Sequence, residues 1–233
     1  EGSSGASREA IEALRVQLGL NAPLHEQYFD WIWGLLRLDA GTSLWSGRPV
    51  MQEIAERLPL TLELAFLALG ISLIIAIPIG IVSALKQDTW IDYFFRSFSI
   101  GGLALPSFWL GTLVILGLTV WFNWTPPLGY VSLWQDPWVN IQQLIFPALV
   151  IGCSTAAIIA RMTRSAMLEV MREDYVRTAW AKGLNLRSVL SAHALRNAML
   201  PVLTLAAIEL GNLLAGTVVM ETIFTLPGIG RYL

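Results

Sequence analysis

The sequence predicts an all-α integral membrane protein, a polytopic helical bundle, and three observations predict it. Of 233 residues 55% are hydrophobic and only 14% charged, with a mean hydropathy of +0.60. A water-soluble globule of this size needs more polar surface. Asp136 is the only charged residue in the interval 97–160, and the uncharged runs on either side of it are each long enough to cross the roughly 30 Å hydrocarbon core. Seven of the fifteen Lys and Arg residues lie in the interval 161–196, with only Glu169, Glu173 and Asp174 as acids. Such a basic loop beside membrane helices faces the cytoplasm.

Residues 1–59 read as an extracytoplasmic helical segment. Ser7 can cap a short helix with Ile11, Leu14 and Leu18 on one face, and Gly19 ends it. After the break at Asn21-Ala22-Pro23, a helix over 25–36 puts Tyr28, Ile32 and Leu35 at i, i+4 and i+7. Asp39-Ala40-Gly41 and Ser46-Gly47-Arg48-Pro49 punctuate its exit. Four spans follow within a membrane domain over 60–220: one at about 60–85, two flanking Asp136, and one at about 198–220. The first and last each carry a single acid, Glu63 and Glu209. Pro78 and Gly80 in the first, and Gly101-Gly102, Pro106, Gly111 and Gly117 in the second, imply close helix packing, because such residues are tolerated where neighbouring helices cover the backbone. Trp121, Trp124, Trp134 and Trp138 surround Thr125-Pro126-Pro127-Leu128-Gly129, a concentration of indoles suited to the headgroup layer. With the basic loop inside, the third span runs inward, the second outward and the first inward. Residues 1–59 and 221–233 then both lie outside.

The polar block after the third span is the mechanical candidate. Residues 171–182 suit a short helix with Tyr175, Ala179 and Lys182 along one face and Val176 and Trp180 beside it. Gly183 is able to take the left-handed stop conformation. Asn185 can cap a second helix carrying Val189, Leu190 and Leu195, before Leu200-Pro201 opens the last span. The two would form an angled coupling hairpin over 165–197 at the cytoplasmic surface, stiff enough to turn a partner's displacement into helix movement. Single residues elsewhere carry less. Glu63 near the outer end reads as a cap or a snorkelling side chain, Glu209 as either a pathway residue or a partner of a neighbouring helix. His193 reads as structural and Cys153 as a small packing residue.

Ala179, Gly183 and Leu200-Pro201 resemble the EAA loop of binding-protein-dependent ABC transporter permeases. Asp174-Tyr175-Val176-Arg177-Thr178-Ala179, Ala181-Lys182-Gly183-Leu184 and His193-Ala194-Leu195-Arg196-Asn197 resemble its dipeptide and oligopeptide (peptide/nickel) version. The resemblance extends to Leu18-Gly19-Leu20, Arg57-Leu58-Pro59, Thr61-Leu62-Glu63-Leu64, Arg161-Met162-Thr163-Arg164, Glu221-Thr222-Ile223-Phe224 and Pro227-Gly228-Ile229-Gly230. Arg177 and Thr178 stand where Glu and Ala are typical of the wider family, and the gap from Gly183 to Leu200-Pro201 is longer; both suit the peptide-type subgroup. The resemblance implies a multi-pass subunit in the bacterial cytoplasmic (inner) membrane, importing di- or oligopeptides or related solutes. Asp174, Tyr175, Val176, Arg177, Thr178, Ala179, Ala181, Lys182 and Gly183 would couple it to two cytoplasmic ABC ATPase subunits. A second homologous permease subunit and an extracytoplasmic solute-binding protein are the other implied partners, besides the lipid bilayer. The family's usual six spans imply that the first and last lie outside this sequence.

Other classes fit less. Lys86 is followed by Gln87 and Lys182 by Gly183, so neither lysine belongs to a G-x-x-x-x-G-K-[ST] phosphate loop. ATP hydrolysis is therefore assigned to partners, and no cofactor is expected. One cysteine and two histidines, His25 and His193, make no structural zinc set. An intramembrane enzyme needs paired catalytic groups that Glu63 and Glu209 lack, and a passive channel leaves the basic hairpin without purpose. A DNA-binding helix-turn-helix is disfavoured by the span that follows at once, so no nucleic-acid partner is expected.

Overall fold

A computed structural model describes residues 12, 15, 16, 20–127 and 129–232. The expected helix on Ile11, Leu14 and Leu18 lies outside those residues, as does Leu128 of the Trp-flanked turn. The chain divides into two compact units, Glu1–Glu56 and Arg57–Leu233. In the first, helix α1 (Leu24–Leu36) matches the expected helix, but Tyr28 and Leu35 are exposed and only Ile32 is half-buried. Past it, Asp39 accepts from the Gly41 amide at 2.9 Å, and Thr42 bridges to Pro49 to close a short loop.

The described residues of the second unit are mostly helical. Helix α2 (Val50–Leu85) begins well before the expected first span and keeps both Pro59 and Pro78 inside it. Leu60, Leu64, Ala68, Ser72 and Ala76, one per turn, have no solvent exposure, as expected of an i±4 ridge set into a groove. The groove belongs to α5 (Pro137–Val170), whose first turn is capped by the Asp136 carboxylate, accepting from Trp138 N at 3.0 Å and Val139 N at 3.2 Å. A Cβ on Gly80 would lie 2.8 Å from the Ala160 carbonyl oxygen, and one on Gly152 2.9 Å from that of Ala68. Small residues thus bring these two helices together, the usual means where lipid supplies no hydrophobic drive.

The second expected span departs from a single helix. It is broken into α3 (Trp90–Ala104) and α4 (Ser107–Phe122), bent by 92°. Pro106 supplies no N–H and holds Leu105 extended at φ −91°, ψ 125°. Gly101 and Gly102 meet nothing within 4 Å, so the close packing expected there is absent, whereas Gly111 lies against Met220 and Phe224.

Beyond α5 come α6 (Asp174–Ala181) and α7 (Leu186–Ser188), then a π-helical stretch over Val189–Ala194 that runs directly into α8 (Leu195–Gly216). The expected hairpin is therefore corrected: its second arm is no separate helix but the N-terminal extension of the last span, and Pro201 lies inside that helix. Short helices α9 (Val218–Ile223) and α10 (Ile229–Tyr232) follow. Among the described residues, three helices are long and apolar enough to cross a membrane, and the bent pair makes a fourth crossing if it counts as one span.

Buried side chains form two layers along the bundle. One holds Leu60, Leu64, Leu144, Met220 and Phe224, the other Ala76, Ala156, Ala160, Ala198 and Ala206. Polar contacts close each end. Glu63 meets Tyr130 and Asn140, and Thr61 meets Glu221, at one; Ser83, Asp92 and Arg164 meet at the other, beside the basic loop. These pairings join the segments that charge distribution alone assigns to a common side of the membrane.

Candidate coupling site

Helix α6 is short because its sequence stops it. The Lys182 cap is followed by Gly183 at φ +77°, whose amide donates to Trp180 O at 2.9 Å, while Leu184 N donates to Ala179 O at 3.3 Å. This pair of bonds satisfies carbonyls that the helix end would otherwise leave open, and it requires the left-handed residue. Asn185 then caps the next turn, accepting from Ser188 N at 2.9 Å. Both features were expected from the sequence.

The structure divides the predicted coupling residues into two groups. Val176 and Ala179, three apart, are buried against Val189, Val170 and Met171, so they hold α6 to its own chain and present nothing outward. Asp174, Tyr175, Arg177, Thr178, Ala181, Lys182 and Gly183 are exposed. Asp174 pairs with Arg177 at 3.3 Å, an exposed i,i+3 contact that adds little stability. Tyr175 has a second role unseen in the sequence: its hydroxyl accepts from Asn197 Nδ2 at 2.8 Å, tying α6 to the start of α8. His193 is half-buried in the π-helical stretch, its carbonyl 3.4 Å from the same Asn197 amide. Helix α6 is thereby clamped to the end of α5 on one side and to the start of α8 on the other, with its remaining face left outward.

A second inner-end cluster escaped the sequence reading. Arg164 donates from Nε to Asp92 Oδ1 at 2.8 Å and from Nη2 to Oδ2 at 2.7 Å, a two-pronged pair. Ser83 donates to the same carboxylate, and Asp88 N adds a bond at 3.2 Å. The Asp92 side chain has no solvent exposure and that of Arg164 is 20% exposed. The pair locks α3 to α5. An acid between Ile91 and Tyr93 was a usable signal, but its partner lies 72 residues away.

The remaining candidates separate cleanly. Glu63 accepts from Tyr130 OH at 2.8 Å and Asn140 Nδ2 at 2.9 Å, and Asn140 and Gln143 also bond to the 127–131 backbone. Glu63 is thus an anchor for the 127–131 loop. Burial and the Glu63 carboxylate push the Tyr130 phenol above its ordinary range, so it stays a donor. Tyr130→Phe should lower thermal stability by about 1 kcal/mol, since Asn140 still pairs the carboxylate; a variant that melts like the parent would remove this anchor. Cys153 is exposed on α5, contrary to a packing role. Glu209 is half-buried on α8 and takes no hydrogen bond among the described residues. The described residues hold no group of three or more metal-ligating side chains.

The family model described as binding-protein-dependent transport system inner membrane component matches residues 76–233. A peptide transport system permease protein of Brucella suis is 44% identical over 229 residues, covering 98% of this chain and 73% of that protein. The dipeptide transport system permease protein DppB of Escherichia coli K12 is 39% identical over 255 residues, covering 100% and 75%. DppB of Alkalihalophilus pseudofirmus is 41% identical over 248 residues, covering 98% and 74%. Among solved structures, an amino acid ABC transporter crystallised with histidines superposes with a TM-score of 0.54 at 16% identity, over 78% of this chain and 76% of that one. That likeness concerns the fold alone.

Proposed function

The chain belongs to the family of binding-protein-dependent transport system inner membrane components, and from that premise we propose that it imports short peptides through coupling to ATPases at α6. It is a membrane-spanning permease subunit of an ABC importer, not an enzyme. The peptide cargo is supported by the names of the relatives at 39–44% identity. Two cytoplasmic ATPase subunits would grip the exposed side chains of α6, a second homologous permease would complete the pathway, and an external solute-binding protein would deliver cargo. In this reading 1–59 and 221–233 lie outside, and 165–197 lies in the cytoplasm within a permease domain over 60–220.

The observation that carries the coupling role is the way α6 is mounted. Its inward residues Val176 and Ala179 are buried, Tyr175 is tied to Asn197, and Arg177, Thr178, Ala181 and Lys182 point away from the chain. A load applied to that outward face passes straight to α5 and α8, because neither joint contains a flexible stretch. Rigid elements with two arrangements can carry such coupling. Val176 and Ala179 act as the mounting, Arg177, Thr178, Ala181 and Lys182 as the contact surface, and Gly183 as the stop that sets its length.

Gly183→Leu tests the assignment. A left-handed Leu costs roughly 1–2 kcal/mol, enough to unwind or redirect the end of an eight-residue helix without touching the spans. In the complete transporter, the variant should insert and fold while cargo-stimulated ATP hydrolysis and uptake both fall by about tenfold or more. Unaltered stimulation would rule out α6 as the coupling element.

A further inference from the structure

We propose that Glu209 and Asn212 form an acceptor pair on the translocation pathway that receives the ammonium group of a cationic or zwitterionic cargo. This rests on the importer reading above and adds the chemical group recognised. The structure's own acids supply the contrast. Glu63 takes bonds from Tyr130 and Asn140, Asp92 from Arg164 and Ser83, and Glu221 from Thr61 and Thr217. Each of these carboxylates is matched by donors from its own chain. Glu209 is not, although it sits within a membrane-spanning helix where an unpaired carboxylate is strongly disfavoured against lipid.

Its position on the helix indicates where its partner comes from. Ala206 and Leu213, three before and four after it, are buried, whereas Ile208 and Asn212 are exposed. Glu209 therefore stands at the border where the packed side of α8 gives way to its open side. Asn212 follows it by three residues, on the neighbouring strip of the helix surface, and its side chain also has no hydrogen bond among the described residues. Together they offer a carboxylate and an amide oxygen to which no described residue donates. An ammonium carries three N–H donors and one positive charge, which satisfies both acceptors and neutralises the acid. The only basic residue on α8 is Arg196, at its inner end, so the chain holds no substitute on this helix. An α-amino group, which every unmodified peptide carries, has the required chemistry.

The test uses the full transporter with its binding protein in proteoliposomes, and radiolabelled alanyl-alanine as probe. Glu209→Gln should lower the initial uptake rate about tenfold, the loss of one charge-assisted bond. Glu209→Asp should restore much of it, and Asn212→Leu should give a smaller loss. The second permease subunit should copurify with each variant as with the parent. Parental uptake in Glu209→Gln would overturn the Glu209 assignment alone. Loss of the second permease subunit on purification of Glu209→Gln would also overturn it, by assigning the carboxylate to a subunit contact. No ATP-dependent uptake by the parent transporter would instead overturn the peptide-importer reading beneath it.

Discussion

Gly228→Ala is expected to destabilise the outer end of the bundle by about 3 kcal/mol, the upper part of the range for forced overpacking. The Glu221 carboxylate occupies the space where the new Cβ would sit. A flexible acid could ordinarily swing aside, but this one is fully buried and held on both oxygens. Oε1 accepts from Thr61 Oγ1 at 2.8 Å and Thr217 Oγ1 at 3.0 Å, and Oε2 from Arg231 N at 3.1 Å. Thr61 Oγ1 in turn accepts from Ile229 N at 3.1 Å. Moving the carboxylate breaks bonds to α2, to the Thr217 cap between α8 and α9, and to α10 together, and each donor left unpaired in a buried site costs roughly 1–3 kcal/mol. Thermal unfolding in detergent measures it, with Gly101→Ala as control because nothing lies within 4 Å of that position. Equal melting temperatures for the two variants would show that the Glu221 seat does not constrain the fold.

Arg164→Ala should be more damaging still, by roughly 3–5 kcal/mol, the usual cost of removing one partner from a buried ion pair. Asp92 would keep only Ser83 and the Asp88 amide against a full negative charge with no solvent exposure. Arg164→Lys should recover little, since a single ammonium cannot reproduce the two parallel bonds of the guanidinium. The double variant Asp92→Asn with Arg164→Met removes both charges and should melt within about 1–2 kcal/mol of the parent, as replaced buried pairs commonly do. The same measurement decides the matter: an Arg164→Ala protein as stable as the double variant would mean the pair contributes no lock between α3 and α5. Because that lock stands next to the mounting of α6, its loss should also weaken coupling in any variant that still folds.

Much of the candidate coupling element was legible because its determinants are local. Gly183 stops a helix through its own backbone freedom, and Asn185 caps one through a side chain three residues from its donor. What could not be read was which residues of α6 face inward. Val176 and Ala179 look no different in sequence from the exposed Ala181, and only Val170, Met171 and Val189 closing over them make the distinction. The same holds for proline: Pro59, Pro78, Pro147 and Pro201 all stay within helices, and Pro106 alone among these breaks one. A proline's effect in a span depends on whether neighbours satisfy the backbone groups it frees, which is a property of the packed bundle.

The sequence by itself determined the class and the apolar segments, because partition between water and hydrocarbon depends on composition over a stretch of about 20 residues. Only the tertiary structure decided which acids are structural. Glu221 and Thr61 lie 160 residues apart and Arg164 and Asp92 72 apart, and a carboxylate is anchored or left open according to which donors the fold carries to it. That is why Glu63, Asp92 and Glu221 become joints of the bundle, while Glu209 has no donor brought to it among the described residues.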